Sequence, residues 1–434
     1  MISRIFAGAA AVVTAVAIGT APALATEGYF AHGYGAINKS MAGAGVAAGF
    51  DAMSQATNPA SLALVETQLT IDLSVFSPHR SYEVTGDPSN DPGPPPAFGL
   101  GPGSFDSDQN YFYIPSVGNA WEIDDSSTWG WALYANGGMN TTWPAEAVCT
   151  VGTGPFCGGK AGIDLGQAFL QFTYAQEMSP EVYIGVSPIF AAQRFKAEGL
   201  TAFSGMSSNP DRLTDEGYDW SYGYGLKIGI QADIGAGFSF GAAYQTEMFM
   251  TNFKKYSGLF TNGGEFNIPA SLQAGFAWQA ESGFIVALDY KRIFYGDVDA
   301  VSNAFAKLDT LSDPAVLLGS PGGPGFGWDD VDIVKLGLEV PVGSSVRLRA
   351  GASLNTNPIP ETEVMFNILA PGVQEQHFTA GMTWQVGDNH AINIAGMYSP
   401  ASSVQGPNAM DPDAQTIELE MSQWEATLGW TWTF

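Results

Sequence analysis

The chain ends in IELEMSQWEATLGWTWTF, residues 417–434. Phe434 is the last residue, and Trp432, Trp430 and Leu428 sit two, four and six positions before it. All four lie on one face of a strand, because side chains alternate with a period of two. A terminal aromatic on such a face resembles the assembly signal of outer-membrane barrels, and the two tryptophans suit an interfacial aromatic girdle.

Working backward, the same alternation recurs. Phe378, Ala380, Met382, Trp384 and Val386 lead through Gly387-Asp388-Asn389 to Ile392, Ile394 and Tyr398. Ile268 to Trp278, Phe284 to Tyr290, Val334 to Val340 and Val346 to Ala352 each carry apolar residues at every second position. Near the other end, Leu69, Ile71, Leu73 and Val75 oppose Thr70, Asp72 and Ser74. The reading gives strands at Gln109 to Ile123, Thr128 to Asn136, Ala168 to Ala175, Glu181 to Lys196, Leu226 to Gln231 and Phe238 to Tyr244. Loops are expected from Ser77 to Asp108, Gly137 to Gly162, Ala197 to Gly217 and Asp297 to Gly327, the last with a short helix near Val301 to Leu311. About fourteen strands, with short turns at one end and long loops at the other, fit the bacterial outer-membrane pattern. The alternate face, rich in Gly, Ser, Thr and Gln, is the expected lumen. A β-sandwich or propeller would not need its long loops at one end.

Composition agrees. Of 434 residues, 14% are charged and 12% aromatic, and 53 are glycine. Such dispersed apolarity suits a transmembrane barrel. No stretch after the leader offers the ~18 apolar residues of a spanning helix. A net charge of −27 argues against nucleic acid. Many acids, such as Asp87, Asp211 and Asp330, fall in expected loops as a solvated surface. Residues 1–25 read as a secretory signal peptide: Arg4, an apolar run from Ile5 to Ile18, and Ala23-Leu24-Ala25 for cleavage. Cys149 and Cys157 are expected to close a small loop disulfide. His32, His79, His377 and His390 show no zinc spacing, so no metal or other cofactor is expected. No Ser/His/acid set stands out, so no catalytic residue is assigned.

One segment does not alternate. GAINKSMAGAGVAAGFDAMSQATNPASLA, residues 35–63, is small-residue rich and closes on Asn58-Pro59-Ala60. Its glycines argue against a long helix. It reads as a plug over residues 26–66, inside a wall formed by residues 67–434.

This segment, with FNIPASLQAGFAWQ (266–279), FGWDDVDIVKLGL (326–338) and RLRAGASLNTNPIPE (347–361), is similar to FadL-type outer-membrane transporters of long-chain fatty acids and other hydrophobic compounds. The resemblance runs from about Gly28 to Phe434. It implies a fourteen-stranded antiparallel barrel in a Gram-negative outer membrane, closed by an N-terminal hatch. It implies passive uptake of a fatty acid or a neutral hydrophobic molecule, a pocket near the mature N-terminus, and lateral release at an inward kink in the third strand. Carried over, Tyr29 and Phe30 are pocket-filling aromatics. Asn58, Pro59 and Ala60 shape the hatch, and Gly137-Gly138 form the kink. Arg194 and Lys196 meet a carboxylate, unless acids or lipopolysaccharide phosphates take them. Lys291 and Arg292 lie on another strand near the external end. Pro188 leaves the register of the Arg194 strand open, and DVDAVS (297–302) stands where a second carboxylate-binding lysine would be, which keeps a neutral ligand open. A monomer contacting outer-membrane lipid is expected. The alternatives are a lipid-modifying barrel enzyme and an adhesive surface barrel.

Overall fold

Fourteen strands turn the alternation into a wall with two chemically different faces. The structure is a computed structural model and describes residues 27–91, 97–146, 148–149, 152–305 and 316–434. The leader expected at residues 1–25 lies outside the described residues. The wall comprises β1 (Gln68–Thr85), β2 (Phe112–Asp124), β3 (Ser127–Asn140), β4 (Gly162–Ser179), β5 (Val182–Glu198), β6 (Asp219–Gly235) and β7 (Phe238–Gln245). It continues with β8 (Ser271–Gln279), β9 (Ile285–Ile293), β10 (Val331–Val342), β11 (Val346–Asn355), β12 (Gln376–Val386), β13 (His390–Pro407) and β14 (Thr416–Thr433). Each pairs antiparallel with the next, and β14 returns to β1 in one register from Gln68↔Thr433 to Thr85↔Thr416. The sheet thus closes on itself, with no first or last strand left as a free edge.

On β1 the outward Leu73 is 50% exposed and the inward Ser74 only 2%. Apolar side chains therefore meet lipid, while polar ones meet the segment inside. The terminal alternation lands as expected. Trp430 and Trp432 stack on the outer face with ring centroids 6.1 Å apart, Trp432 lies 4.4 Å from Phe434, and His390 packs 5.6 Å from Trp430. This aromatic patch sits at the short-turn end. The turn there between β2 and β3 is held by Asp124, whose carboxylate accepts from Ser126 N–H at 2.9 Å and Ser127 Oγ at 2.8 Å. Those donors hold the carboxyl below its ordinary value.

Three elements differ from the sequence reading. β1 runs on through Pro78 to Thr85, where a loop at Ser77 was expected. Its ladder to β2 ends at Phe76↔Phe112, so one flank of Pro78 has no neighbouring strand whose pairing a missing N–H would break. β3 continues past the glycine pair to Asn140. In the loop after β9 a single turn of helix covers Asp299–Ser302; most of the expected Val301 to Leu311 helix lies outside the described residues. β1 and β14 have 18 residues each, well beyond the ~9–11 that cross a bilayer. Their surplus lengths stand at the long-loop end. There the loops bury their own aromatic core, with Phe305 stacked on Phe366 at 4.6 Å and Phe203 edge-on to both at 6.0 Å.

Residues 27–66 lie inside the barrel. They hold one short helix, α1 (Gly35–Ser40), and 3-10 turns at Ala52–Ala56 and Pro59–Leu64.

Candidate functional site: the lumenal segment and the third strand

The inner segment has too little regular structure to satisfy its own backbone, so wall side chains do so. Asp72 on β1 accepts from Ala36 N–H at 3.1 Å, at the start of α1. Asp289 on β9 accepts from Gly45 N–H at 2.8 Å and Val46 N–H at 2.9 Å. Gln171 and Gln231 donate to the carbonyls of Gln55 and Ala47 at 2.7 and 2.8 Å. Lys227 donates to Ala56 C=O. Lys39, on α1, pairs with the buried Glu425. Asp51 caps the Ala52–Ala56 turn by accepting from Met53 N–H at 2.9 Å, and burial pushes its carboxyl up to about 6 against the pull of those donors and Arg349.

Asn58-Pro59-Ala60 is the second anchor. Asn58 Nδ2 donates to Val46 C=O at 2.7 Å and to Ile230 C=O at 3.0 Å, and its Oδ1 accepts from Ala60 N–H at 3.0 Å. One side chain thus ties the segment to itself and to β6. The wall makes room with glycine. A Cβ on Gly229 would stand 1.9 Å from Asn58 Oδ1, and one on Gly185 would stand 2.3 Å from the Pro59 carbonyl carbon. These two glycines are paired across β5 and β6.

The segment begins among charges and rings. Glu27 is fully buried and ion-paired to Lys291 of β9 at 2.7 Å and Lys335 of β10 at 2.5 Å. Burial alone would raise its carboxyl; the two ammonium groups bring it below the ordinary value. Lys335 also donates to His32 C=O at 2.7 Å. Tyr295 accepts Tyr29 N–H at 3.0 Å and donates to Glu27 C=O at 2.7 Å. Tyr29 packs 5.0 Å from Tyr295, 5.9 Å from Trp328 and 5.4 Å from Phe30. Tyr29 and Phe30 therefore fill an aromatic nest beneath the external loops.

The same residues complete the wall. β3 carries a bulge between Ala135 and Gly137, and its ladder to β2 ends at Val117↔Leu133 although both strands continue. Beyond that point β3 pairs with the inner segment instead. Gly138 N–H donates to Tyr29 C=O at 2.9 Å, and Ala31 N–H donates to Asn136 C=O at 2.9 Å. A Cβ on Gly137 would stand 1.9 Å from Tyr29 O, so the approach requires glycine. Phe112 and Ile114 of β2 line the resulting gap with Ala135 and Ala31. Arg80 of β1 crosses its outer end, donating to the carbonyls of Gln109 and Asn140. The register shift of β3 thus falls at the start of the glycine pair.

The matched family model is described as outer membrane protein transport protein (OMPP1/FadL/TodX) and spans residues 10–432. The chain belongs to this family. Its members are outer-membrane transport barrels for hydrophobic compounds. Among solved structures, the chain is similar to the Pseudomonas putida toluene transporter TodX, with TM-score 0.67 and 17% identity over 93% of this chain and 99% of that one. It is similar to the Ralstonia pickettii toluene transporter TbuX, with TM-score 0.63 and 16% identity over 93% and 99%. A Pseudomonas aeruginosa FadL homologue gives TM-score 0.66 and 13% identity over 94% and 100%. No curated protein matches the chain. At these identities the structures establish a shared fold.

Within this FadL-family barrel, Pro188 causes no slip. The pairs Gln171↔Ile189 and Tyr174↔Val186 keep one register on either side of it. Gln193 and Phe195 are therefore lumenal, and Arg194 and Lys196 point outward. Arg194 lies 3.4 Å from Asp164 and 4.5 Å over the Tyr218 ring; Lys196 pairs with Glu198 at 2.7 Å. The structure thus places the two expected carboxylate-binding cations on the outer surface, paired with acids. Arg292 also points outward, to Asp330 and Asp332, while its neighbour Lys291 points in. The lumenal wall cations that sequence reading missed include Lys227, Lys335 and Arg349. Their signal was a cation at the inward phase of an alternating strand. Cys157 is disulfide-bonded; the side chain of Cys149 lies outside the described residues.

Proposed function

We propose that the protein is a passive channel for hydrophobic molecules, fatty acids or neutral hydrocarbons, gated by residues 27–66 and releasing its cargo sideways between β2 and β3. We take this segment as the hatch, and residues 1–25 as a leader removed on export. The observation that carries the reading is the double use of Tyr29 to Ala31. The side chains of Tyr29 and Phe30 occupy the aromatic nest, while the backbone of Tyr29 and Ala31 is the partner of β3 where β2 has left it. Displacing them empties a pocket and opens the wall in one movement.

The lumen supports sideways release. Below the hatch a cavity of about 1490 Å³ opens at the short-turn end, lined by polar groups such as Gln231, Glu339, Arg349 and Asn393. An apolar solute would lose about 25 cal/mol per Å² of apolar surface by entering that water-accessible space. The β2–β3 gap instead offers Phe112, Ile114 and Ala135. Two of the similar solved structures are toluene transporters, which favours small hydrocarbons as one cargo class. The protein works as a monomer in contact with outer-membrane lipid, and no step calls for a catalytic group.

The test is uptake of radiolabelled toluene and palmitate by cells with and without the protein, before and after energy depletion. Saturable uptake of at least one compound that survives depletion is expected. Ion conductance like that of an open pore, with no uptake of either compound, would contradict the reading.

A further inference from the structure

Resting on that reading, we propose that Glu27, Tyr29 and Phe30 are a built-in stand-in for an anionic amphiphile, and that a ligand bearing a carboxylate opens the hatch by taking their place. The resemblance is chemical and local. Glu27 offers a carboxylate that is fully buried between two ammonium groups at 2.7 and 2.5 Å. Two and three residues on, Tyr29 and Phe30 offer apolar bulk that fills the nest beside it. Lys291 joins the two parts, with Nζ also 5.6 Å over the Phe30 ring. A carboxylate head with an apolar tail would satisfy the same lysines and the same rings of Tyr295 and Trp328.

The exchange would be nearly balanced in contacts. A buried ammonium stripped of its partner is costly, so the cradle favours occupation by one anion or another. A neutral hydrocarbon can replace the rings but leaves Glu27 in place. A carboxylate ligand replaces both and frees Tyr29 and Ala31 from β3. Charge on the cargo thus becomes a signal for opening, rather than only a means of holding it.

The experiment compares palmitate with methyl palmitate, which share a chain and differ in charge. Binding of each radiolabelled probe is measured by equilibrium dialysis on detergent-solubilised protein. Glu27→Gln should raise palmitate affinity about tenfold, within the range of a typical coupling between competing ligands, and leave the ester unchanged. Adding Lys291→Met and Lys335→Met to that variant should abolish the gain. A variant-free measurement runs beside it: on wild-type protein, saturating palmitate should speed proteolysis of residues 27–66 more than the ester does. Unchanged or weaker palmitate binding in Glu27→Gln, or equal proteolysis with the two probes, would overturn the exchange and leave the channel reading standing. Failure of every form to bind either probe would overturn both.

Discussion

At the residue scale, the hatch is held by close approaches with no slack. Gly229 faces Asn58 so tightly that one methyl group must displace the side chain making both anchor bonds. Gly229→Ala should cost about 1–3 kcal/mol of hatch docking, the usual range for overpacking. Faster proteolysis of residues 27–66 with an intact barrel would show it. Asp51 gives a pH test. Its carboxyl rises from an ordinary 3.8 to about 6 on burial, so its contribution to docking is full below about 3.8 and is lost as pH rises through about 6. Glu27 works in the opposite sense, its lowered carboxyl favouring docking above its ordinary value. The difference between wild type and Asp51→Asn isolates the first effect. Protease release should increase between pH 4 and 7 in wild type by more than in the variant.

At the element scale, β5 and β3 decide where chemistry can occur. The unbroken register of β5 turns Arg194 and Lys196 outward, so alanine at both should leave palmitate binding within about twofold, as for surface groups remote from a site. A larger loss would mean that the outer face takes part. β3 makes the complementary prediction. Gly137→Val would drive a side chain into Tyr29 O, at 1.9 Å for Cβ alone, and should separate the hatch from the wall. Increased leak of hydrophobic probes or ions is expected in planar bilayers. These strands also mark what sequence could reveal. Alternation gave the strands and their two faces, because lipid and lumen impose a period of two on every one. It could not place the end of β3, because pairing with Tyr29 to Ala31 depends on a segment about 100 residues away in the chain. It left the facing of Arg194 open, because a proline can either shift a register or sit harmlessly on one face.

At the scale of the whole molecule, the barrel is a polar vestibule below, an aromatic core above, and a segment between them that also serves as wall. The Asn58-Pro59-Ala60 anchor was legible in the sequence as a feature of the hatch. Its seat on Gly185 and Gly229, and the lysines around Glu27, were not, since they come from strands scattered across the chain. Opening therefore requires movement of residues 27–31 relative to β3, and the most direct measurement restrains that movement. Cysteines replacing Ala31 and Asn136, whose backbones are hydrogen-bonded at 2.9 Å, would tie the hatch to the kink. Uptake of toluene and palmitate should fall to the level of cells lacking the protein under oxidising conditions and return on reduction. Undiminished uptake with the crosslink fully formed would contradict gating by this segment.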